Sequence, residues 1–585
     1  MEKFDIFCIL QLLGGLAFFL YGIYVMSSGL EKIAGGKLEK ILKTMTSSPW
    51  KGLILGASVT AIIQSSSAVT VMLVGLVNSG IMKLTQAIGV IMGSNIGTTI
   101  TAWILSLSGI QSTNVIVRLF KPESFTPLLA LVGVIMVFVA KSNKNRNIGS
   151  AFLGFSILMT GMIFMGSSME PLSHSQKFID LLTLFHNPLF GVLVGTVITA
   201  IIQSSAASIG MLQALVMQVN ISYSMALPII MGQNIGTCIT AVLSSIGVNA
   251  NARKVAVVHV AFNVIGTIIF LSIVEAADLL FNLKWMEENI NPAGIAVLHS
   301  SFNILTTILL FPFIKQLEAI ANFVIKDAKA PKERVFLDER LLLSPELATL
   351  ESHQKIVAMS KLVKSNVLYA TKLLKNYSQK KADVINKNEK IIDTYEDKLE
   401  AFLVKTSNRD LSEENSNHIA RLLLTIGDFE RIGDHAVNVL NIAEQKEQKH
   451  LDFPPDLVND IKVIVNATLE VLNVTVEAFS KNSADIALKI EPLEQVIDRL
   501  VAKAKNRHIK RIQFGECPRE LDFFVSDLFT DFERISDHCS NIATSILKTK
   551  DTTIDKHEFL KQLKSYDNKD FSKAYDEFKE KYSLV

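Results

Sequence analysis

The chain reads as an all-helical protein in two parts, a polytopic membrane half followed by a charged, amphipathic helical half. Three observations predict this. Hydrophobic residues make up 49% of the 585 and charged residues only 19%, and the mean hydropathy of +0.34 is high for a soluble globular chain. Nearly all long apolar runs precede residue 326, whereas most of the charge follows it. Each half also repeats internally, at offsets of 139 and 103 residues, the signature of duplicated structural units.

Composition sets the outer limits. Lys plus Arg total 58 against 56 Asp plus Glu, a formal charge of +2 that offers no field to hold a polyanion, so nucleic acid is not an expected partner. Cys8, Cys238, Cys517 and Cys539 are too few and too scattered for a disulfide framework or a Cys-based zinc site. Nothing resembles a nucleophile with its base or a nucleotide-binding loop, which argues against an enzyme.

The runs Phe7 to Met26, 148 to 168, 225 to 247, 255 to 274 and 293 to 313 approach or exceed the roughly 20 residues that cross about 30 Å of hydrocarbon as helix. The run 125 to 140 is shorter but bounded by charge. The first run is not expected to be a cleaved signal peptide, because Glu2, Lys3 and Asp5 give a nearly neutral start, no small-x-small cleavage site follows cleanly and many further apolar segments come after it;.

Within this half, Thr60-Ala-Ile-Ile-Gln64-Ser65-Ser66 recurs as Thr199-Ala-Ile-Ile-Gln203-Ser204-Ser205, and Gly93-Ser-Asn95-Ile-Gly97-Thr98-Thr99-Ile-Thr101-Ala102 recurs as Gly232-Gln-Asn234-Ile-Gly236-Thr237-Cys238-Ile-Thr240-Ala241. The same register pairs Gly22 and Met26 with Gly161 and Met165, giving repeats of about 9–110 and 148–249. Each repeat reads as a helix, a polar-centred segment (52–80, then 191–219) and a helix carrying Gly-x-Asn-Ile-Gly-Thr. The middle segment would make a single helix of about 43 Å, with Gln64 to Ser67 near its midpoint, where polar groups facing lipid are costly. Two half-helices meeting at that cluster fit better. A re-entrant hairpin there makes the repeats inverted; a single span makes them parallel. The positive-inside count is eleven Lys and Arg against five with hairpins and ten against six with single spans, so it leaves the hairpin open. Both counts put the chain after residue 313 in the cytoplasm.

The motifs contain no Lys, Arg or His, and there is no acidic residue between Glu39 and Glu123 or between Asp180 and Glu275. Hydroxyls, amides and half-helix N-termini remain. They can bind an anion through free N–H groups, and unwound carbonyls can bind Na⁺, the layout of secondary transporters with broken helices. Isolated hydroxyls such as Ser27 and Thr160 need no more than close helix packing. His259 with Asn263 and His299 with Asn303 lie at i, i+4 inside apolar runs; an interhelical hydrogen bond is the favoured role over a gate.

The duplicated Gln-Ser-Ser segments resemble those of the type II sodium-phosphate cotransporters over residues 5 to 315. That resemblance implies two inverted repeats whose re-entrant hairpins meet at a central site. It also implies Na⁺-driven phosphate transport, with ligands shared among Gln64, Ser65, Ser66, Ser67, Asn95, Thr98, Thr99, Gln203, Ser204, Ser205, Asn234 and Thr237. Ala206 in place of Ser67 and Cys238 in place of Thr99 mean that the two halves cannot contribute identical ligands.

After a linker at 327–344, broken by Ala330-Pro331, amphipathic helical periodicity runs over 345–548;. Asp428-Phe-Glu430-Arg431-Ile-Gly-Asp434-His435-Ala-Val-Asn438 matches Asp531-Phe-Glu533-Arg534-Ile-Ser-Asp537-His538-Cys-Ser-Asn541. This half resembles the PhoU domain family. Glu430 and Asp434, like Glu533 and Asp537, share a helix face, and the four carboxylates are expected to converge on a metal. Oxygen ligation suits Mg²⁺, Ca²⁺ or Mn²⁺, and with His435 or His538 also Fe or Zn. A solvated acidic face paired with Arg431 and Arg534 is the simpler alternative. Residues 549–585 read as a charged C-terminal tail.

The expected protein is a Na⁺-dependent inorganic phosphate symporter of the cell inner (plasma) membrane. Its partners are phosphate, Na⁺ and the lipid bilayer, a homodimer is compatible with it, and residues 1–326 transport under a cytoplasmic PhoU-like domain. A phosphate exporter and a non-transporting phosphate-signalling scaffold are the alternatives.

Overall fold

The computed structural model describes residues 5–34, 48–109, 121–171, 187–326, 337–343, 345–409, 411, 413–547 and 569–584. Residues 327–336 of the expected linker, 549–568 of the expected tail, and Lys37, Lys40 and Lys43 of the positive-inside count lie outside them. Among the described residues the regular structure is helical, apart from one antiparallel bridge between Ser222 and Asn289. The chain divides into two compact units, Met1–Lys332 with Asp338–Glu346, and Glu333–Leu337 with Leu347–Val585.

The first unit contains α1 (Ile6–Ala34), α2 (Pro49–Ile63), α3 (Ser66–Asn78), α4 (Leu84–Ser106), α5 (Pro122–Val139), α6 (Asn143–Met169), α7 (Pro188–Ile202), α8 (Ser205–Val216), α9 (Tyr223–Ser244), α10 (Ala250–Phe281), α11 (Pro292–Leu310) and α12 (Ile314–Val324). Among its described residues six stretches are long and apolar enough to cross a membrane: Ile6–Ile33, Leu84–Gly109, Asn143–Met169, Tyr223–Ser244, Ala250–Phe281 and Pro292–Val324. A seventh, Pro455–Lys481, belongs to the other unit and buries one apolar face there. Large side chains such as Phe7, Phe138, Ile201 and Leu279 stay exposed on the outer surface, as lipid contact requires.

Glycine sets how closely these helices approach. A Cβ on Gly15 would meet the Met165 and Gly161 backbone, one on Gly22 would lie 2.3 Å from the Leu158 nitrogen, and one on Gly29 would meet Asn147 and Ala151. Partner numbers fall as the α1 numbers rise, so α1 and α6 are antiparallel. The glycines of α4 do the same for α2: Gly93 would meet the Leu53 carbonyl at 1.9 Å and Gly97 the Ala57 carbonyl at 2.5 Å. Here the numbers rise together, so α2 and α4 run parallel. Gly232 against Val192 and Gly236 against Thr196 repeat this between α7 and α9. Part of the Gly-x-Asn-Ile-Gly-Thr motif is therefore a helix-packing device.

Residues 338–343, expected as part of a linker, pack on this unit. Asp338 is buried and accepts from Asn78 Nδ2 at 2.7 Å, Leu341 sits against Gly75, and Arg340 Nη2 donates to the Ile246 carbonyl at 3.3 Å.

The second unit is a helical bundle of α13 (Pro345–Leu373), α14 (Gln379–Ser407), α15 (Glu413–Gln448), α16 (Pro455–Lys481), α17 (Ala484–Ala487), α18 (Ile490–Gln513), α19 (Leu521–Leu547) and α20 (Lys569–Lys581). Its core includes Phe429, Phe529 and Phe532. The final helix is not a free tail: Leu584 is buried, Lys581 pairs with Glu470 at 2.7 Å, and Arg499 lies over the Tyr575 ring at 5.0 Å. Its aromatic residues, spaced for one helix face, cover apolar surface that charge counting alone does not register.

Candidate functional site

In each repeat the polar-centred segment breaks at the glutamine. Gln64 ends α2 with φ +60° and Gln203 ends α7 with φ +61°, a left-handed conformation uncommon for a side chain of this kind. Each glutamine N–H donates back one turn, to Thr60 or Thr199, at 2.7 Å. The next residue is extended and caps the following helix: Ser65 Oγ accepts from the Ala68 N–H and Ser204 Oγ from the Ala207 N–H, both at 3.2 Å. These serines spend their hydroxyl oxygens partly on capping. The first N–H groups of α3 and α8 point back at the breaks, where a helix dipole favours negative charge.

The chain reverses at these breaks. Thr101 Oγ1 donates to Gln64 Oε1 at 2.7 Å, placing the end of α2 beside the later part of α4, while residues 79–83 join the end of α3 to the start of α4. Since α2 and α4 are parallel, α3 runs against both. The Gln64 amide also donates to the Ala61 carbonyl. The two breaks meet, because Ser67 Oγ donates to the Gln203 carbonyl at 3.3 Å.

The halves are not equal. Gln64 is buried and Gln203 exposed, and Thr240, the counterpart of Thr101, donates to the Thr237 carbonyl instead. Asn95, Thr98, Thr99, Asn234 and Thr237 are all buried. Thr98, Thr99 and Thr237 donate to the carbonyls of Ser94, Ile96 and Gln233, which leaves hydroxyl lone pairs for a cation. Asn95 and Asn234 contact His259 and His299 at 3.3 Å, so both histidines make interhelical hydrogen bonds. Ser66 and Ser205 are buried in the first turns of α3 and α8. The sequence reading overlooked Thr101 as the holder of Gln64, although it lies inside the duplicated motif.

In the second unit Glu430, Asp434, Glu533 and Asp537 do not converge, which corrects the expected four-carboxylate site. Helical periodicity explains it. Asp428, His435 and Asn438 share one face of α15, and that face pairs with α19: His435 Nδ1 meets Asp531 at 2.8 Å, His538 Nδ1 meets Asp428 at 2.9 Å, and Asn438 and Asn541 donate to the same two carboxylates. Glu430 and Asp434 project from the opposite face, among Glu389, Asp393 and Glu396. Asp537 instead gathers with Glu494 and Asp498, one oxygen of each within 4.8 Å of the others, while Glu533 pairs with Lys505 at 3.0 Å.

Burial together with the carboxylates of Asp393, Asp434 and Glu430 pushes the Glu389 carboxyl up to about 8. Burial and Asp434 push Glu430 up to about 7. Asp393, Glu396 and Asp537 are also raised, burial being the leading cause for each. Among the described residues no protein donor reaches either buried oxygen of Glu389. The missed residues carried a signal, since Glu389-x-x-x-Asp393 and Glu494-x-x-x-Asp498 have the spacing of the motif that was read.

The Na+/Pi-cotransporter family model matches twice, at residues 18–167 and 159–288, and the PhoU domain model twice, at 356–443 and 461–546. "Uncharacterized protein YqeW" of Bacillus subtilis is 30% identical over 261 residues, covering 44% of this chain and 80% of that protein. "Putative inorganic phosphate export protein YjbB" of Escherichia coli is 21% identical over 564 residues, 94% of this chain and 99% of that one. "Sodium-dependent phosphate transport protein 2A" of Rattus norvegicus is 42% identical over 99 residues, 16% of this chain and 15% of that one. Among solved structures, PhoU from Pseudomonas aeruginosa matches with 22% identity and a TM-score of 0.34, over 35% of this chain and 99% of that one. The family models and the sequence relatives place the chain in a family of membrane transporters rather than enzymes: it belongs to the Na+/Pi-cotransporter family and carries two PhoU domains.

Proposed function

We propose that the chain carries inorganic phosphate across the inner (plasma) membrane, outward in the cell, with Na⁺ as coupling ion and its PhoU domains in the cytoplasm. Collinearity with YjbB over 94% of this chain and 99% of that one carries the choice of direction, because that relative's name is of a phosphate exporter. It favours export over the uptake symport expected from sequence. Na⁺ coupling rests on a site without side-chain cations and on the similarity to a sodium-dependent transport protein.

Antiparallel packing of the equivalent helices α1 and α6 supports inverted repeats, and the reversal at Gln64 supports re-entrant hairpins. The Ser67–Gln203 contact supports a shared central site in which helix N-termini receive the phosphate. An anion in such a site needs its charge offset, and bound Na⁺ supplies the offset. Membrane potential then links cation number to direction, at about 2.3 kcal/mol per elementary charge per 100 mV. A loaded site that is net negative is driven outward by an inside-negative potential. In the PhoU domains, Glu389, Asp393, Glu430 and Asp434 would hold one divalent cation, and Glu494, Asp498 and Asp537 another.

The test is radiolabelled phosphate efflux from proteoliposomes under an imposed K⁺ diffusion potential. Efflux accelerated by an inside-negative potential is the expected result. Efflux retarded by it would restore the uptake reading.

A further inference from the structure

His259 and His299 stand in the same relation to the two repeats. His259 on α10 places Nε2 3.3 Å from Asn95 Oδ1 on α4, and His299 on α11 places Nε2 3.3 Å from Asn234 Oδ1 on α9. Asn95 and Asn234 occupy one position of the duplicated motif. Each histidine is followed one turn later by an asparagine, Asn263 or Asn303, whose Nδ2 donates to the histidine carbonyl at 3.0 or 2.9 Å. All six residues are buried.

The network fixes the direction of these bonds. Asn234 Nδ2 donates to the Ile230 carbonyl at 2.8 Å, so Oδ1 is the atom that faces His299, and His299 must donate from Nε2. Asn95 Nδ2 donates to Asn263 Oδ1 at 3.4 Å, which turns its Oδ1 toward His259 in the same way. In so buried a site an amide without these partners would be free to turn over and present nitrogen instead of oxygen.

The two sites differ in what remains open. Asn234 Oδ1 also accepts from Asn303 Nδ2 at 3.3 Å, so protein donors fill both of its lone pairs. One turn on, Cys238 replaces the hydroxyl of Thr99; its single S–H is within reach of the carbonyls of Asn234 and His259, at 3.7 and 3.5 Å, and its sulfur accepts from Asn263. Among the described residues Asn95 Oδ1 has one protein donor, and Thr99, which donates to the Ile96 carbonyl, keeps its oxygen lone pairs. We propose that His259 is a positioning residue for transport and that its counterpart His299 is not. His259 holds Asn95 with one carbonyl lone pair presented to the coupling cation, and His299 locks Asn234 as a structural brace that binds no cation. The inference rests on the reading that the first Asn-Ile-Gly-Thr motif contributes to the transport site.

The test is Na⁺-dependent phosphate flux by the full chain in proteoliposomes. Glutamine carries its amide nitrogen near the position of His Nε2, whereas asparagine is too short. His259→Asn should raise the Na⁺ concentration for half-maximal flux by about tenfold, the scale of one misplaced hydrogen bond, with the maximal rate largely kept. His259→Gln should restore the wild-type value. His299→Asn should lower the thermal midpoint and leave the Na⁺ dependence unchanged. Equal Na⁺ dependence in His259→Asn, His259→Gln and wild type would overturn the proposal, as would a Na⁺ shift in His299→Asn matching that of His259→Asn. Asn95→Ala separates the two levels: unaltered flux in that variant defeats the underlying site, whereas impaired flux beside a normal His259→Asn defeats only the positioning role.

Discussion

Ser67 Oγ donates to the backbone carbonyl of Gln203 at 3.3 Å, tying the break in one repeat to the break in the other. The symmetry mate of this contact is missing because Ala206 has no hydroxyl. Ser67→Ala should therefore slow phosphate flux by about two- to tenfold, the equivalent of one neutral hydrogen bond worth ~0.5–1.5 kcal/mol. Initial rates in proteoliposomes measure it, and a variant indistinguishable from wild type would leave the contact without a role.

Gln64 combines a left-handed backbone with a buried amide held by Thr101, so its two contributions can be separated. Gln64→Gly keeps the turn and removes the amide, and it should abolish flux as fully as Gln64→Ala. Thr101→Val should impair flux less than either. Flux rescued by glycine would mean that the backbone turn alone matters.

Much of the membrane half was legible because duplication marks its candidate site. The Gln-Ser-Ser segments, their position at a helix break and the asymmetry at Ala206 and Cys238 could all be read from one register. The direction of the middle segment could not, since hydropathy and charge count leave both topologies open. Packing distances at Gly93 and Gly97 carry that information. In the second unit the motif was read and its partners missed: a single helix face cannot reveal that α14 and α18 bring their own carboxylates to it.

The close crossing of α1 and α6 gives a packing prediction. Gly22→Leu drives a side chain into the Leu158 backbone and should leave little monodisperse protein after detergent extraction. Gly14→Leu is the control, since a Cβ there meets nothing within 4 Å, and it should behave as wild type in size-exclusion chromatography.

The raised carboxyls of Glu389 and Glu430 predict a pH dependence of known sign. The folded state holds protons that an unfolded chain releases from about pH 4.5 upward, so their contribution is full below that and is lost as pH rises through about 7 to 8;. Hydrogen exchange in α14 and α15 should quicken from pH 6 to pH 9, after correction for the intrinsic rate, and added Mn²⁺ should flatten the change by replacing the protons. Protection that increases with pH in metal-free protein would contradict this.

The central claim is that the paired breaks at Gln64 and Gln203 form a phosphate site coupled to Na⁺. Radiolabelled phosphate movement in proteoliposomes, with Na⁺ present on both sides or replaced by choline, tests it most directly. The expected result is flux by the wild-type chain that requires Na⁺ and disappears in Gln64→Ala at equal reconstitution. Phosphate movement unchanged by choline, or unchanged in Gln64→Ala, would contradict the account.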